Sequence, residues 1–294
     1  MTDPFAIDGP AVVSFSGGRT SAYMLWRMVQ VGLRPDVHVM FSNTGKERPE
    51  TLDFVNECSV RWNVPITWLE YRRRHLPKYR SPERAAVAAR IRQASGRADL
   101  YLPHTPGVKE PGYKVVDYNT ASRDGEPFDN MIDMNGLPNR TTRLCTAEMK
   151  IRVIKKRMLH LGYENWTVVL GLRADEPDRV ARQRKPPPER WEHAMPLADA
   201  GVTEADVMAF WATQPFDLKL EQHEGNCDLC FLKSTAKRAA IVEKRPDLLS
   251  WWIRAEARSG DVFNRNSPPY VKLAVLPDAP SCTADDGGDC FCTD

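Results

Sequence analysis

Long apolar runs are missing from this sequence of 294 residues. No stretch approaches the roughly 20 residues that a membrane-spanning helix needs. The start, Met1-Thr2-Asp3-Pro4, also lacks the charged-then-apolar pattern of a secretory signal. Internal repeats and low-complexity tracts are not evident either. These absences predict a cytoplasmic protein with no membrane partner.

A strong overall charge is also missing, because the net charge is only +2. The charges are nevertheless unevenly distributed. Between Arg72 and Arg97 there are nine Arg or Lys residues and one acid, Glu83. This basic segment either attracts a polyanion or forms an ordinary solvated helical face. Residues 278–294 carry five acids and no base, which predicts a mobile tail.

The remaining composition, 42% hydrophobic and 27% charged, is typical of a chain with one substantial core and a smaller attached lobe. Strand-like runs alternate with helix-like ones, which predicts βαβ crossovers. The expected fold is therefore α/β, with a parallel, doubly wound, Rossmann-like sheet and flanking helices. The strand-like runs are 11–16, 36–42, 66–71 and 166–172.

The chain divides into three predicted units. An α/β nucleotide-binding domain spans 1–220, a small helical lobe spans 221–280, and a flexible acidic tail spans 281–294. Residues 72–144 break the alternation and predict a basic, proline-rich insertion over the sheet edge, with a helix near 83–95.

Two helix starts can be predicted from capping residues. An amphipathic helix follows Ala147, with Thr146 as its cap and Gly162 as its end. Another helix begins at Thr203, with Asp206 three residues later.

The stretch from Ser14 to Ser21 predicts a phosphate cradle, because it follows the apolar run 11–13 and precedes a helix-like run. Two adjacent glycines let the backbone turn tightly and bring N–H groups toward an anion at the positive helix end. The alternative interpretation is an ordinary glycine turn, and the Walker spacing Gly-x-x-x-x-Gly-Lys is absent. The candidate residues of this first loop are Ser16, Gly17, Gly18, Arg19, Thr20 and Ser21.

Two further loops follow strand-like runs. The second loop is Phe41–Thr51, and the third loop is Gly171–Arg179. In the second loop, Pro49 can begin a helix with Glu50 beside its positive end, at the sheet edge where ligands collect. The third loop carries carboxylates for a metal ion and arginines for phosphates. The alternatives are a capped helix start and a salt-bridged turn. The candidates are Asn43, Thr44, Gly45 and Glu47 in the second loop, and Arg173, Asp175, Glu176 and Arg179 in the third.

The seven cysteines of a cytosolic chain argue against a disulfide framework. Cys227 and Cys230 form a Cys-x-x-Cys pair, and Cys145 precedes a helix start, which favours its thiolate. Three such thiolates suit an iron–sulfur cluster with one open iron, while zinc and a redox dithiol are alternatives. Unrelated cysteines are the remaining interpretation, and Cys58 is expected to be core packing.

Several of these motifs resemble known ones. The first loop resembles the PP-loop of the ATP pyrophosphatase superfamily, which has the HUP-type α/β fold. The second resembles the Asp/Asn-Thr-Gly-x-x-x-Pro-Glu-Thr segment of the phosphoadenosine phosphosulfate (PAPS) reductase family. Further segments resemble phage and bacterial members of that family, so the likeness covers most of 11–235. They are Arg143-Leu144-Cys145-Thr146 with Lys150, the third loop, Thr120–Arg123, Gly125–Phe128 and Leu137–Asn139.

The resemblance implies an enzyme that cleaves ATP between its α and β phosphates or binds a sulfonucleotide. One cysteine followed by Cys-x-x-Cys is also how PP-loop tRNA thiolases hold a [4Fe–4S] cluster, which implies Cys145, Cys227 and Cys230 as ligands. Two features of cluster-containing sulfonucleotide reductases are missing. There is no Cys-Cys pair at Cys145, and no Glu-Cys-Gly-x-His tail; Cys282, Cys290 and Cys292 lie in the acidic tail instead.

Three hypotheses follow. The first is an ATP pyrophosphatase that uses Mg²⁺ to adenylate a nucleic-acid or small-molecule acceptor, with adenine near the second loop. A cluster, served by a sulfur-donating desulfurase, would then deliver sulfide. The second is reduction of PAPS or adenosine phosphosulfate by a tail cysteine. The third is a non-catalytic nucleotide- or nucleic-acid-binding regulator. A homo-oligomer fits each of them.

Overall fold

One six-stranded sheet forms the centre of the fold. The computed structural model describes residues 3–72, 112–185, 189–221 and 224–273. The strand order is β4-β3-β2-β1-β5-β6, and neighbours are parallel except for the antiparallel pair β3-β4. The predicted α/β fold with a mostly parallel sheet is confirmed. The strands are β1 (Ala11–Phe15), β2 (Val37–Asn43), β3 (Ile66–Tyr71), β4 (Tyr113–Val116), β5 (Trp166–Val169) and β6 (Trp191–Ala194).

Helices connect and cover the strands. The described helices are α1 (Arg19–Val31), α2 (Pro49–Arg61), α3 (Glu126–Asn135), a π-helix (Cys145–Ile151), α4 (Arg152–His160), α5 (Pro177–Gln183), α6 (Pro196–Asp199), α7 (Glu204–Ala212), α8 (Thr235–Lys244), a 3₁₀ turn (Pro246–Leu248), α9 (Leu249–Ser259) and α10 (Tyr270–Leu273). None of the helices in these ranges is long and apolar enough to cross a membrane.

The winding of the sheet reverses beside β1. From β1 the chain moves outward through β2 to β3, and it later returns to the other side of β1 with β5 and β6. Loops after strands on opposite sides of such a reversal diverge and leave a crevice at the carboxyl ends of the strands. The first loop follows β1 and the third follows β5, so both border this crevice.

The two faces of the sheet pack against separate hydrophobic clusters. Alternate residues of β1 point to opposite faces: Ala11 and Val13 belong to one cluster, and Val12 belongs to the other. The first cluster includes side chains of α1, α2 and α7. The second includes side chains of α3, the π-helix, α4 and the helices from α8 onward. The sheet is therefore buried on both sides, as parallel sheets usually are.

Two local predictions need correction. The described part of the insertion does not merely lie over the sheet edge, because β4 pairs with β3 and extends the sheet. The helix at 145 begins with Leu144 as its N-cap and has no capping side chain, so Thr146 is not the cap. The predicted helix near 83–95 and most of the basic segment lie outside the described residues.

The helices after residue 233 occur where the sequence places them, with a break at Pro246. Their apolar side chains, including Trp252 and Phe263, join the same cluster as Val12 and Met40 of the sheet. We refer to residues 224–273 as the lobe. Its hydrophobic interior is continuous with one face of the sheet, although the division of the chain into units remains a prediction.

The start of α7 offers a test of local folding. Thr203 Oγ1 accepts the backbone N–H three residues later in a capping box, which confirms the predicted helix start. We expect Thr203→Ala to lower the free energy of unfolding by about 1 kcal/mol, the usual cost of losing an N-cap. Urea denaturation would measure this change. Thr203→Ser keeps the hydroxyl and is the control; equal destabilisation by both variants would contradict the capping role.

Candidate functional site

The first loop takes a path that only glycine permits at position 17. Gly17 has φ +79°, a conformation that L side chains rarely adopt. A Cβ atom there would lie 2.8 Å from Cγ2 of Thr51 and 2.9 Å from Cγ2 of Val55, both on α2. The loop is therefore pressed directly onto α2, which fixes its position at the carboxyl end of β1.

The amino end of α1 has no capping side chain. Gly18 is the N-cap, and the first turn contains no acidic residue. The backbone N–H groups of Arg19, Thr20 and Ser21 have no acceptor within the helix, as in the first turn of any α-helix. The hydroxyls of Ser16 and Ser21 lie 2.8 Å apart at the same place. N–H groups, hydroxyls and the positive helix end together favour an anion.

The side chain of Arg19 points elsewhere. Its Nε and Nη2 each donate to the carboxylate of Asp217 at 2.7 Å, and its guanidinium also bonds the carbonyl oxygens of Leu218 and Leu220. The charge predicted for the first loop is thus already neutralised by Asp217. Arg19 instead ties α1 to the segment that leads into the lobe.

The third loop approaches the first one closely. A Cβ atom on Gly171 would lie 3.2 Å from Cα of Ser21, so the two backbones are nearly in contact. Nη1 of Arg173 donates to Oγ1 of Thr20 at 3.4 Å. The predicted meeting of these two loops at the sheet edge therefore occurs, and a guanidinium lies beside the uncapped end of α1.

Carboxylates surround that guanidinium. Asp175 and Glu204 accept from Arg173 at 2.9 and 3.2 Å, and Arg179 pairs with Glu176. Partial burial raises the pKa of Asp175, but the N–H of Glu204 and the guanidinium of Arg173 lower it, and the net pKa lies below its ordinary value. The third loop therefore contains carboxyl groups as well as arginines, and the lowered pKa of Asp175 favours its ionised form.

The second loop is buried rather than open to the crevice. Its candidates Asn43, Thr44 and Glu47 are at most 6% exposed. Nδ2 of Asn43 donates to Glu70 at 2.6 Å, and the carboxylate of Glu47 accepts from the N–H and Oγ1 of Thr44 at 2.7 and 2.8 Å. Gly45 is buried as well. The named polar side chains of this loop therefore bond to protein, and the position of adenine beside the loop stays a prediction.

The lobe covers the second loop. The N–H of Asp228 donates to the carbonyl of Lys46 at 2.9 Å, and Nζ of Lys46 pairs with the Asp228 carboxylate at 2.7 Å. Glu47 and Cys227 form an isolated bridge, in which the thiol lies 3.8 Å from a carboxylate oxygen of Glu47. Burial raises the pKa of Glu47, and the charge of Lys150 only partly offsets that effect.

Asn226 connects the lobe to the first loop. Its Nδ2 donates to the carbonyl of Ser16 at 2.9 Å, and its own carbonyl accepts the N–H of Arg48 at 2.8 Å. A Cβ atom on Gly18 would lie 3.3 Å from the Asn226 amide. Asn226 is only 2% exposed, so it is a buried clamp: its side-chain amide holds the first loop at Ser16, and its backbone carbonyl holds the second loop at Arg48.

The cysteines share a hydrophobic cluster but do not form a metal site. Cys145, Cys227 and Cys230 are buried, belong to the cluster that contains Val12, and form no disulfide. Among the described residues, no group of three or more His, Cys, Asp or Glu side chains could hold a metal ion. The [4Fe–4S] cluster implied for Cys145, Cys227 and Cys230 therefore stays a prediction. Cys58 is buried, and burial raises the pKa of its thiol, which agrees with core packing.

Three residues of the site are not among the sequence candidates. Asn226 precedes the Cys-x-x-Cys pair without any recognisable pattern. Ser42 and Lys150 line a small cavity of about 20 Å³ beside Ser16. Lys150 belongs to the segment Arg-x-Cys-Thr-x-x-x-Lys, and this motif is the signal that points to it.

The comparisons with known proteins agree with this geometry. A sequence model of the phosphoadenosine phosphosulfate reductase domain matches residues 10–86, which include the first and second loops. The chain is also 36% identical over 228 residues to the "uncharacterized nin region protein ORF290" of Escherichia phage lambda. That alignment covers 77% of this chain and 67% of the phage protein. The chain belongs to the phosphoadenosine phosphosulfate reductase family.

Membership in the PAPS reductase family accounts for the first loop as a PP-loop. The family match ends within the insertion, so it does not include the third loop, Asn226 or the cysteines. Their arrangement in this family member is therefore known from the structure alone.

The buried acid of this family member, Glu47, should make its stability depend on pH. A carboxyl whose pKa is raised by folding holds its proton more tightly when folded, so its contribution weakens as pH rises above about 4.5. We expect the free energy of unfolding of Glu47→Gln, relative to wild type, to increase from about pH 5 to neutral pH. Denaturant titrations at several pH values would measure it.

Glu57→Gln is the matched control, because it removes one negative charge from the partly exposed surface of α2. A difference between Glu47→Gln and wild type that stays constant or falls with pH would contradict the assignment of a raised pKa.

Proposed function

We propose that the protein is a PP-loop enzyme that binds ATP at the first loop and transfers its adenylyl group to an acceptor, releasing pyrophosphate. One observation carries the proposal: the uncapped amino end of α1 lies where the winding of the sheet reverses, with the hydroxyls of Ser16 and Ser21 and the guanidinium of Arg173 beside it. Phosphate groups bind at this combination of features in α/β proteins.

The reaction that fits this site is a displacement at the α-phosphorus. An oxygen of the acceptor forms a bond to that phosphorus, the bond to the bridging oxygen breaks, and pyrophosphate leaves with the electron pair. Any proton on the attacking oxygen passes to solvent. Negative charge grows on the departing phosphates, so fixed N–H groups and a guanidinium stabilise the transition state more than the ground state.

The residues of the first and third loops divide this work. The N–H groups of Thr20 and Ser21, with the hydroxyls of Ser16 and Ser21, hold the phosphates. Arg173 and Arg179 neutralise developing charge. A Mg²⁺ ion bound to the nucleotide would take most of its ligands from the phosphates and water, and one or two from protein carboxylates, and it would offset negative charge on the phosphates. Asp175 and Glu176 supply the carboxylates.

A sulfur step through an iron–sulfur cluster is not part of this proposal, because the three cysteines do not form a ligand group in the described residues. Sulfonucleotide reduction is the second candidate from the sequence. It requires a nucleophilic cysteine of the tail, which lies outside the described residues, and no contact in the site favours it. Sulfite formation from PAPS separates this reaction from adenylyl transfer.

The direct test is the product formed from ATP. With Mg²⁺ and single-stranded nucleic acid as acceptor, we expect pyrophosphate and adenylate products. The double variant Ser16→Ala, Ser21→Ala should release pyrophosphate about 10-fold more slowly or worse, because hydrogen bonds to charged groups are strong. Thr213→Ala, which removes a hydroxyl bonded to Phe210 at the end of α7, is the control. Orthophosphate as the only product, or equal rates in both variants, would contradict the proposal.

The Asn226 clamp provides an independent test of the same site. Asn226→Ala removes the bond to the Ser16 carbonyl and should weaken ATP binding about 10-fold, because the first loop loses its fixed position. Isothermal titration calorimetry would measure the affinity. Asn264→Ala is the matched control, since Asn264 is also buried and its side chain bonds within the lobe, to Ser267 and to the backbone N–H of Asn266. ATP affinity that falls equally in both variants would show a general effect on the lobe instead.

A further inference from the structure

A cavity of about 320 Å³ lies along β5 and β6, at the end of the sheet opposite β3 and β4. It is bounded by β5 and β6, by the π-helix and α4, and by α5. Of the residues assigned above to the phosphates of ATP, Arg179 also lines this cavity. Its size is at the lower end of the range for small-molecule sites in proteins.

The charged residues of this cavity are mostly basic. Among the described residues that line it, the only carboxylate belongs to Glu189, which pairs with Lys155 at 2.8 Å, and the lining Arg179 pairs with Glu176. An excess of positive charge in a concave site with apolar walls raises the local concentration of anions. The basic residues that line the cavity are Arg143, Lys150, Lys155, Arg179 and Arg182.

The inner wall is apolar and aromatic but contains a buried donor. Trp166 and Trp191 line the cavity and stack with ring centroids 5.5 Å apart. Trp166 is 4% exposed, and its indole Nε1 has no hydrogen-bond partner among the described residues. An unpartnered buried N–H is costly, so a bound group with an acceptor atom satisfies it well.

The cavity continues toward the first loop. The smaller cavity beside Ser16 shares Ser14, Lys150 and Ile154 with the larger one. It is also lined by Ser42, whose buried Oγ has no hydrogen-bond partner in the described part of the chain. A molecule seated in the larger cavity therefore lies next to the loop assigned to the phosphates of ATP.

We propose that this cavity binds the acceptor, and that the acceptor is a nucleotide unit, with its base against the tryptophan wall and its phosphate among the basic residues. The base supplies the acceptor atom for Trp166 Nε1, and the phosphate matches the positive lining. This inference rests on the proposed function, because it places the acceptor beside the α-phosphate of ATP. The nucleotide is either free or part of a single-stranded nucleic acid, since both present the same base and phosphate.

The test uses the full chain and two pyrimidine probes, uridine 5′-monophosphate and a single-stranded oligothymidylate, titrated by calorimetry with ATP measured separately. Arg182→Glu reverses an exposed charge at the cavity and leaves the phosphate site intact. We expect it to weaken binding of the probes about tenfold and to leave ATP affinity unchanged. Arg265→Glu, the same change at a 79% exposed arginine of the lobe, should alter neither.

Trp166→Phe tests the buried donor, because it removes Nε1 and keeps an aromatic ring. It should also weaken binding of the probes, with circular dichroism showing that the fold is retained. Tighter binding of the oligothymidylate than of the mononucleotide identifies nucleic acid as the source of the acceptor, and the reverse identifies a free nucleotide.

Absence of probe binding to a wild-type protein that binds ATP would overturn the cavity assignment alone. Parallel loss of ATP and probe affinity in Arg182→Glu would also overturn it, because the cavity would then hold the nucleoside of ATP. Failure of wild type to bind ATP, with probes still bound, would instead refute the proposed function.

Discussion

The close contact between Gly17 and α2 determines the geometry of the whole site. Because no side chain fits between the first loop and Thr51 or Val55, the loop lies directly against the first turns of α2. The beginning of α2 is also where the second loop ends. The first loop and the surface that receives the lobe therefore both lie against α2 or its start.

Polar contacts determine how the lobe sits on that unit. Lys46 and Asp228 form a buried ion pair, and Arg48 pairs with Glu224 at 3.2 Å. Ion pairs of this kind add little net stability, because desolvation offsets their attraction, but losing one partner costs about 3–5 kcal/mol. They therefore select one docking position, while the aromatic cluster around Trp252 and Phe263 supplies the hydrophobic stabilisation. In this docking position, Asn226 of the lobe donates a hydrogen bond to the carbonyl of Ser16 in the first loop.

Patterns of neighbouring residues predicted much of this architecture. The alternation of apolar strands with helices gives the parallel order around β1, and Thr203 with Asp206 gives the start of α7, because both depend on short-range periodicity and capping. β4 was not predicted, because it pairs in antiparallel fashion and because it lies within the stretch 72–144, whose sequence breaks the alternation of apolar runs. The π-helix at Cys145 escaped because its apolar spacing is the same as that of an α-helix.

The sequence by itself determined the fold class, the glycine turn of the first loop and the chemistry of the third loop, since these depend on residues that are near each other in the chain. Only the tertiary structure decided that the second loop is buried, that Asp217 neutralises Arg19, and that Asn226 reaches the first loop from 210 residues away. It also decided that the three predicted cysteine ligands are buried in one hydrophobic cluster. The physical reason is that burial and charge pairing depend on which distant segments pack together, and one sequence read along its length does not contain those contacts.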